Sequence, residues 1–201
     1  MKRFLEYGES VKLLEHYGIG TLHWKSIEHE DEAYDAAWSL SYPVIVKIAR
    51  GNNPSSFTVV NSQEEMRSVL SKVAFVSSGT GNEADSLYIQ KKIKGKEVSI
   101  GFIRNAEYPP AVSLSLGGIF STILNDISYA SIPTEKESIQ KMADEVGAHV
   151  VLNSFELSQL EDSVMKLSRL GMEKKEILEM DIKLVVHDNG ALAVDASMIV
   201  G

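Results

Sequence analysis

Lys47 is unusual among the charged residues because it lies inside an apolar run, Val44-Ile45-Val46-Lys47-Ile48-Ala49. Such a run, which follows a stop at Tyr42-Pro43, predicts a buried strand. An ammonium group inside a strand needs a carboxylate, a phosphate or a route to water, because burying an unpaired charge is costly. Lys47 is therefore either a phosphate ligand or an edge-strand lysine whose ammonium group reaches solvent.

A second candidate region is the basic turn at 94–96, which joins predicted strands at 87–93 and 97–103. A nucleotide can lie across such a turn, with backbone groups contacting the base and lysines near the phosphates. The alternative is a lysine-rich turn that simply faces solvent. The residues that would contact the nucleotide are Gln90, Lys91, Ile93 and Glu97.

Two further patterns could contact phosphate or metal. Gly117 and Gly118 end a predicted strand, and paired glycines let backbone N–H groups approach an anion, although most such pairs are ordinary turns. Asp181 and Asp195 lie in a predicted terminal hairpin, where carboxylates on adjacent strands can hold Mg²⁺ or simply face solvent. The sequence contains neither a P-loop nor a Gly-x-Gly-x-x-Gly fingerprint.

Composition narrows the class of protein. The chain has 201 residues, a formal net charge of −8 with both signs interspersed, and no cysteine. A nucleic-acid partner is not expected, because phosphate neutralisation needs a concentrated basic face. With no membrane-spanning apolar run and no signal peptide expected at the start, a cytoplasmic protein without a membrane partner is the simplest interpretation.

Helix and strand signals alternate along the chain and are joined by short connections, which predicts an α+β fold with mainly antiparallel sheets. We divide it into subdomains 1–94 and 95–201, with the turn at 94–96 as the hinge. The predicted helices cover 10–17, 31–40, 62–77, the segment after Thr134, and 157–171; the predicted strands cover 44–49, 87–93, 97–103, 111–116, 177–186 and 191–200. Ser62 with Glu65 and Thr134 with Glu137 form candidate capping boxes, and Gly171 is the expected end of the last helix.

In this order, the segments resemble the ATP-grasp module of the β subunits of ADP-forming acyl-CoA synthetases, within the succinyl-CoA synthetase superfamily. Order and spacing agree from residue 5 to residue 200. The segments that carry the resemblance are Leu40-Ser41-Tyr42-Pro43-Val44-Ile45-Val46-Lys47-Ile48, Tyr88-Ile89-Gln90, Gly95-Lys96-Glu97, Leu116-Gly117-Gly118-Ile119-Phe120, Glu179-Met180-Asp181-Ile182 and Val194-Asp195-Ala196.

The resemblance implies an ATP-grasp fold, in which two α+β subdomains enclose a cleft for ATP or ADP. It assigns nucleotide contacts to Lys47, Gln90, Lys91, Ile93, Glu97, Gly117 and Gly118, and a metal ligand to Asp195. It also implies a partner, either a CoA-binding α-type subunit or a second copy of the chain. Lys47 should meet phosphate in a shielded site, whereas Lys96 should lie on an exposed turn.

Several positions depart from the family pattern. The segment 49–58 contains no histidine to accept a phosphoryl group, Thr122 stands in place of an acidic residue, and Lys183-Leu184 stands in place of Asn-Pro. A protonated lysine cannot ligate Mg²⁺ and repels it. We therefore expect Lys183 to pair with Asp195 instead of a metal, provided that a three-residue loop at 188–190 puts both side chains on one face.

These departures leave two hypotheses of different class, and no catalytic residue is assigned. The chain is either the nucleotide-binding subunit of an acid-CoA ligase or a non-catalytic partner or regulatory subunit derived from the same family. Fold similarity alone does not separate them, because function depends on the site.

Overall fold

The computed structural model describes residues 2–50, 53–80, 86–117 and 126–201. In chain order the elements are β1 (Arg3–Phe4), α1 (Tyr7–His16), β2 (Trp24–Ile27), α2 (Glu30–Leu40), β3 (Val44–Arg50), β4 (Asn53–Val60), α3 (Gln63–Thr80), β5 (Ser86–Lys91), β6 (Lys96–Ile103), β7 (Ala111–Leu116), β8 (Ile127–Ser131), α4 (Lys136–Glu145), α5 (Ala148–Val151), α6 (Ser154–Glu173), β9 (Ile177–His187) and β10 (Gly190–Val200).

The chain forms two compact units. The larger unit comprises Met1–Thr21 and Lys94–Gly201, and the smaller unit comprises Leu22–Ile93. This division differs from the predicted subdomains 1–94 and 95–201, because β1 pairs with β10 and α1 packs on the same strand. The first 21 residues therefore belong with the C-terminal part of the chain, and the predicted boundary between residues 94 and 95 lies one residue from the observed boundary between Ile93 and Lys94.

The larger unit is built on a six-stranded antiparallel sheet with the order β1-β10-β9-β6-β7-β8. Alternate residues of its strands face one core, and α4 and α6 cover that face with their apolar stripes. The buried residues of this core include Val98, Ile100, Phe102, Leu114, Ile139, Met142, Leu160, Val164, Leu167, Ile182 and Leu184.

The C-terminal end of α6 differs from its prediction. Gly171 was expected to end the helix, but α6 continues to Glu173. A side chain at position 171 would place its Cβ 2.4 Å from the ring of Phe102, so the glycine is explained by close packing and not by a turn. Arg104 closes this end: its guanidinium donates hydrogen bonds to the carbonyl oxygens of Gly171, Lys174 (3.0 Å), Lys175 (2.7 Å) and Ile177 (3.0 Å).

The smaller unit has a four-stranded antiparallel sheet with the order β2-β5-β3-β4. One face of this sheet packs against α2 and α3, and its core includes Ala33, Ala36, Ala37, Val44, Val46, Val60, Met66, Leu70, Leu87 and Ile89. The predicted antiparallel α+β class is thus correct in both units. The described part of the chain contains no helix long and apolar enough to cross a bilayer.

The two predicted capping boxes have different outcomes. Ser62 Oγ does accept a hydrogen bond from the Glu65 amide (3.2 Å), although the Glu65 carboxylate reaches back to the Asn61 amide (2.8 Å) instead of Ser62. The box at Thr134 is wrong, because α4 begins at Lys136 after Glu135, with no side-chain cap. Four strands, β1, β2, β4 and β8, were not predicted at all.

Candidate functional site

Lys47 lies on the face of the smaller sheet opposite the core of that unit. Along β3, Val44 and Val46 face the core, so Ile45 and Lys47 face the other way. Lys47 is nevertheless only 5% exposed, and it pairs in register with Tyr88 of β5. β3 lies between β5 and β4, so Lys47 is not the edge-strand lysine of the alternative interpretation, and little of the residue contacts water.

Gln90 shares this face with Lys47. It pairs with Ile45 of β3 and is 1% exposed, so the structure brings these two predicted residues together on adjacent strands. Tyr88 lies on the same face, and its ring forms an edge-to-face contact with Trp24 of β2 at 5.4 Å between centroids. The sequence singled out neither aromatic residue as a site residue. Because side chains alternate along a strand, Tyr88 could have been placed on the same face as Gln90, whereas the sequence of β2 did not indicate a strand or the position of Trp24.

Lys91 lies on the opposite face of the sheet from Lys47 and Gln90. It pairs with Val44, on the core side of the sheet, and its ammonium group donates to the carbonyl oxygens of Leu40 and Ser41, both at 2.8 Å. These carbonyls lie at the C-terminal end of α2, where a positive charge is favourable. The Lys91 side chain is therefore committed to holding this helix against β5. Ile93 follows β5 and is half-buried at the end of the smaller unit.

The larger sheet presents a polar face on the side opposite its core. On β6, Glu97, Ser99 and Gly101 lie on this face, and their register partners on β9 are Val185, Lys183 and Asp181. On β10, Asp195 and Ser197 pair with Lys183 and Asp181. We call the set Glu97, Ser99, Asp181, Lys183, Asp195 and Ser197 the polar face.

The predicted ion pair of Lys183 with Asp195 is present on this face, with 3.8 Å between Nζ and Oδ2. The route to it differs from the prediction. His187 pairs with Gly190 across a two-residue turn, which alone would direct Asp195 to the opposite face. A bulge between Ala193 and Asp195 adds Val194 as an extra residue and restores the alignment of Asp195 with Lys183.

Asp181 is the neighbour of this pair along β9. Its carboxyl remains accessible to solvent, yet the adjacent strands withdraw it partly from water, which raises its pKa above the ordinary value. The Asp195 carboxylate raises the pKa further, and the Lys183 ammonium group opposes both effects. The polar face therefore holds one ammonium group beside two carboxyl groups.

This arrangement does not fit a resident Mg²⁺ ion. Mg²⁺ binds through oxygen ligands in a nearly octahedral shell, and an ammonium group beside one of them supplies repulsion instead of a ligand. Within the described ranges, no group of three or more histidine, aspartate, glutamate or cysteine side chains is placed to hold a metal ion. The prediction of Asp195 as a metal ligand receives no support from its surroundings.

Glu97 and Gly117 meet at one edge of the polar face. The Gly117 amide donates to the Glu97 carbonyl oxygen at 2.8 Å, and a Cβ at position 117 would lie 2.7 Å from Glu97. Only glycine allows this approach, while the Glu97 side chain stays exposed. Gly118 and Thr122 lie outside the described residues, as does the segment 51–52.

Lys96 is partly exposed, with 40% of its side chain accessible, as the sequence suggested, but its ammonium group is held by an ion pair that the sequence did not indicate. Its ammonium group lies 2.5 Å from the carboxylate of Glu156, which is 3% exposed, at the N-terminal end of α6. The same carboxylate accepts from the Asn153 amide at 2.7 Å. The hydrogen bond from Lys96, followed by the one from Asn153, lowers the pKa of Glu156. Lys96 thus anchors α6 to the start of β6, and no local signal marks a partner 60 residues away.

Two units of this kind, each with an antiparallel sheet and helices on one face, are expected of an ATP-grasp protein. The chain matches the family model of the ATP-grasp domain over residues 1–200 and belongs to that family. Membership implies nucleotide binding. The particular relatives are ADP-forming acetate–CoA ligases, which agrees with the resemblance noted from the motifs.

The β subunit of acetate–CoA ligase (ADP-forming) I from Pyrococcus furiosus is 30% identical over 95% of this chain and 89% of its own length. Acetate–CoA ligase (ADP-forming) II from Archaeoglobus fulgidus is 29% identical over 96% of this chain, but the chain spans only 30% of that protein. A solved structure of a dinucleotide-forming acetyl-coenzyme A synthetase 1 from Ca. Korarchaeum cryptofilum, with coenzyme A, Ca-AMPCP and HgCl⁺, superposes with a TM-score of 0.85, at 25% identity over 99% of this chain and 94% of the other.

Proposed function

We propose that this chain binds ATP or ADP as the nucleotide-binding component of an acyl-CoA synthetase assembly or of a complex derived from one. The observation that carries the proposal is Lys47, a buried lysine of β3 on the same sheet face as Gln90, in a chain that matches the ATP-grasp family over residues 1–200. Screening is weak at a buried position, so a phosphate group placed there would interact strongly with the lysine.

The test is calorimetric titration of the chain with ATP and with ADP, using Lys47→Met to remove the charge while keeping an apolar stem of similar length. We expect the variant to bind at least about tenfold more weakly, a loss of about 1.4 kcal/mol. Lys72→Met is the matched control, because Lys72 is an exposed lysine on α3 in the same unit.

Thermal unfolding of both variants establishes that they are folded. Equal affinity in Lys47→Met and Lys72→Met would exclude Lys47 as a phosphate ligand. Absence of binding in the unmodified chain, at millimolar nucleotide, would overturn the proposal as a whole.

A partner follows from the same proposal. The Pyrococcus relative is a β subunit, so we propose that this chain associates either with a CoA-binding α-type subunit or with a second copy of itself. Its mass in solution, alone and with such a subunit added, tests this association.

Catalysis is a separate question, and one observation favours the non-catalytic alternative. The polar face holds the Lys183–Asp195 ion pair, where charge neutralisation of phosphates by a metal would need oxygen ligands alone. The two hypotheses separate in an assay of ATP formation from ADP, phosphate and an acyl-CoA with a CoA-binding subunit present. ATP formation identifies an enzyme subunit, and nucleotide binding without it identifies a partner or regulatory subunit.

A further inference from the structure

The polar face carries a charge arrangement that has a consequence for the ions it accepts. Lys183 lies in the middle of the face, with Asp195 beside it on β10 and Ser99 beside it on β6. Asp181 lies two residues away on the same strand and the same face. Among the described residues of this sheet, the neighbours of Lys183 on its face are thus two carboxylates and one hydroxyl, with Glu97 one same-face position beyond Ser99.

We propose that Lys183 excludes divalent cations from the β9–β10 hairpin, so that the nucleotide affinity of this chain does not depend on Mg²⁺. The independence of nucleotide affinity from Mg²⁺ rests on the proposed function, whereas the exclusion of divalent cations does not. A divalent cation close to Asp181 and Asp195 would be repelled by the Lys183 ammonium group, because the bulge at Val194 aligns Lys183 with Asp195.

The carboxylates of Asp181 and Asp195 do not by themselves make this a site for a divalent cation. Mg²⁺ takes six oxygen ligands, usually one or two carboxylates with waters and substrate phosphates, and a neighbouring ammonium group competes with the ion for the same carboxylates. The residue next to both carboxylates is Lys183, which supplies an ammonium group where a metal site would need an amide or carboxylate oxygen. Replacing that group by an amide would leave two carboxylates and one amide oxygen on the same face.

The direct test uses Mn²⁺ as a paramagnetic probe with ¹⁵N-labelled protein and requires no nucleotide. In the unmodified chain, we expect the amide signals of Asp181 and Asp195 to broaden no more than that of the exposed residue Asp31. In Lys183→Asn, the two hairpin signals should broaden selectively, at Mn²⁺ concentrations about tenfold lower than those that affect Asp31.

The matched control is Lys136→Asn. Lys136 forms an ion pair with Glu161 at 3.3 Å, its side chain is 62% exposed against 55% for Lys183, and it lies on α4 in the same unit. This variant should leave the hairpin signals unchanged. Selective broadening of Asp181 and Asp195 in the unmodified chain, or equal broadening with and without Lys183, would overturn the exclusion of divalent cations.

A calorimetric arm connects this result to nucleotide binding. ADP affinity of the unmodified chain should change less than about twofold between chelator and Mg²⁺, whereas Lys183→Asn should bind about tenfold more tightly with Mg²⁺ than without it. If ADP binds neither protein, the proposed function fails while the Mn²⁺ result still decides the ion selectivity. If the unmodified chain binds ADP only with Mg²⁺, nucleotide binding stands and the present inference fails.

Discussion

Both units use a cation to close the C-terminal end of a helix, but they use different side chains. In the larger unit, Arg104 contacts four carbonyl groups around the end of α6, and in the smaller unit Lys91 contacts two at the end of α2. A guanidinium group offers five donors in a rigid fork, whereas an ammonium group offers three on a flexible stem. Lys91 also lies in a segment that resembles a nucleotide-binding motif, so position in a motif does not by itself identify a phosphate ligand.

The largest expected effect is at Arg104. Arg104→Met keeps the stem but leaves four carbonyl oxygens without their charged donor, and we expect it to lower the free energy of unfolding of the larger unit by about 2–4 kcal/mol. Arg104→Lys should recover part of this loss, because an ammonium group cannot reach all four acceptors. Both tryptophans, Trp24 and Trp38, lie in the smaller unit, so urea unfolding must be followed by circular dichroism. A loss in Arg104→Met below that of Lys91→Met would reverse the comparison.

A smaller effect is expected where the larger unit uses an ion pair at the other end of α6. Glu156→Gln removes the charge that Lys96 and the Asn153 amide stabilise, and we expect a loss of about 1–3 kcal/mol at neutral pH. Because the folded-state pKa of Glu156 is lowered, this stability is present above the ordinary glutamate pKa and disappears as pH falls through the lower folded value. The difference between the two proteins should therefore shrink in acid.

Asp162→Asn provides the control for that measurement. Asp162 forms an exposed ion pair with Lys166 on the same helix, and such pairs contribute less than about 1 kcal/mol. If the two substitutions had equal effects at neutral pH, the Lys96–Glu156 contact would be no more important than a surface pair.

Among the three contacts that hold a helix end, the smallest effect is expected at Lys91. Lys91→Met should lower the stability of the smaller unit by about 1 kcal/mol, because two carbonyl groups near solvent can exchange the ammonium group for water. Tryptophan fluorescence follows this unit, since Trp24 on β2 contacts Tyr88 on β5, the strand that carries Lys91. A loss matching that of Arg104→Met would mean that the number of carbonyl acceptors does not control the strength of the contact.

Local patterns in the sequence were sufficient for the long elements. The apolar run at 44–49 and the helical stripes of α4 and α6 all lie where the pattern placed them, because each is specified by residues within a few positions of one another. Strands such as Trp24–Ile27 were missed, because four residues with mixed polarity show no clear period. The pairing of β1 with β10 was missed for a different reason: it joins the two ends of the chain.

In the candidate site, too, contacts between residues far apart in the sequence could not be predicted. The strands that carry Lys47 and Gln90 could be predicted from their apolar runs, and once the two strands pair, alternation places both side chains on one face of the sheet. The partners of Lys91 and Lys96 lie 51 and 60 residues away, and only the folded chain brings them together. The contact of Lys183 with Asp195 was predicted through the wrong loop, because a bulge at Val194 compensates for a shorter turn and leaves no signature in the sequence.

The pairing of Arg3 and Phe4 with the last strand has a consequence for the order of events during synthesis. All of the smaller unit has been translated once residue 93 is made, so it can fold while the remaining chain is still being added. The first strand of the larger unit, in contrast, must wait for Val200 and Ile199 before its edge of the sheet can form. We therefore expect the larger unit to assemble last and more slowly, since its closing contact joins residues 3 and 4 to residues 199 and 200.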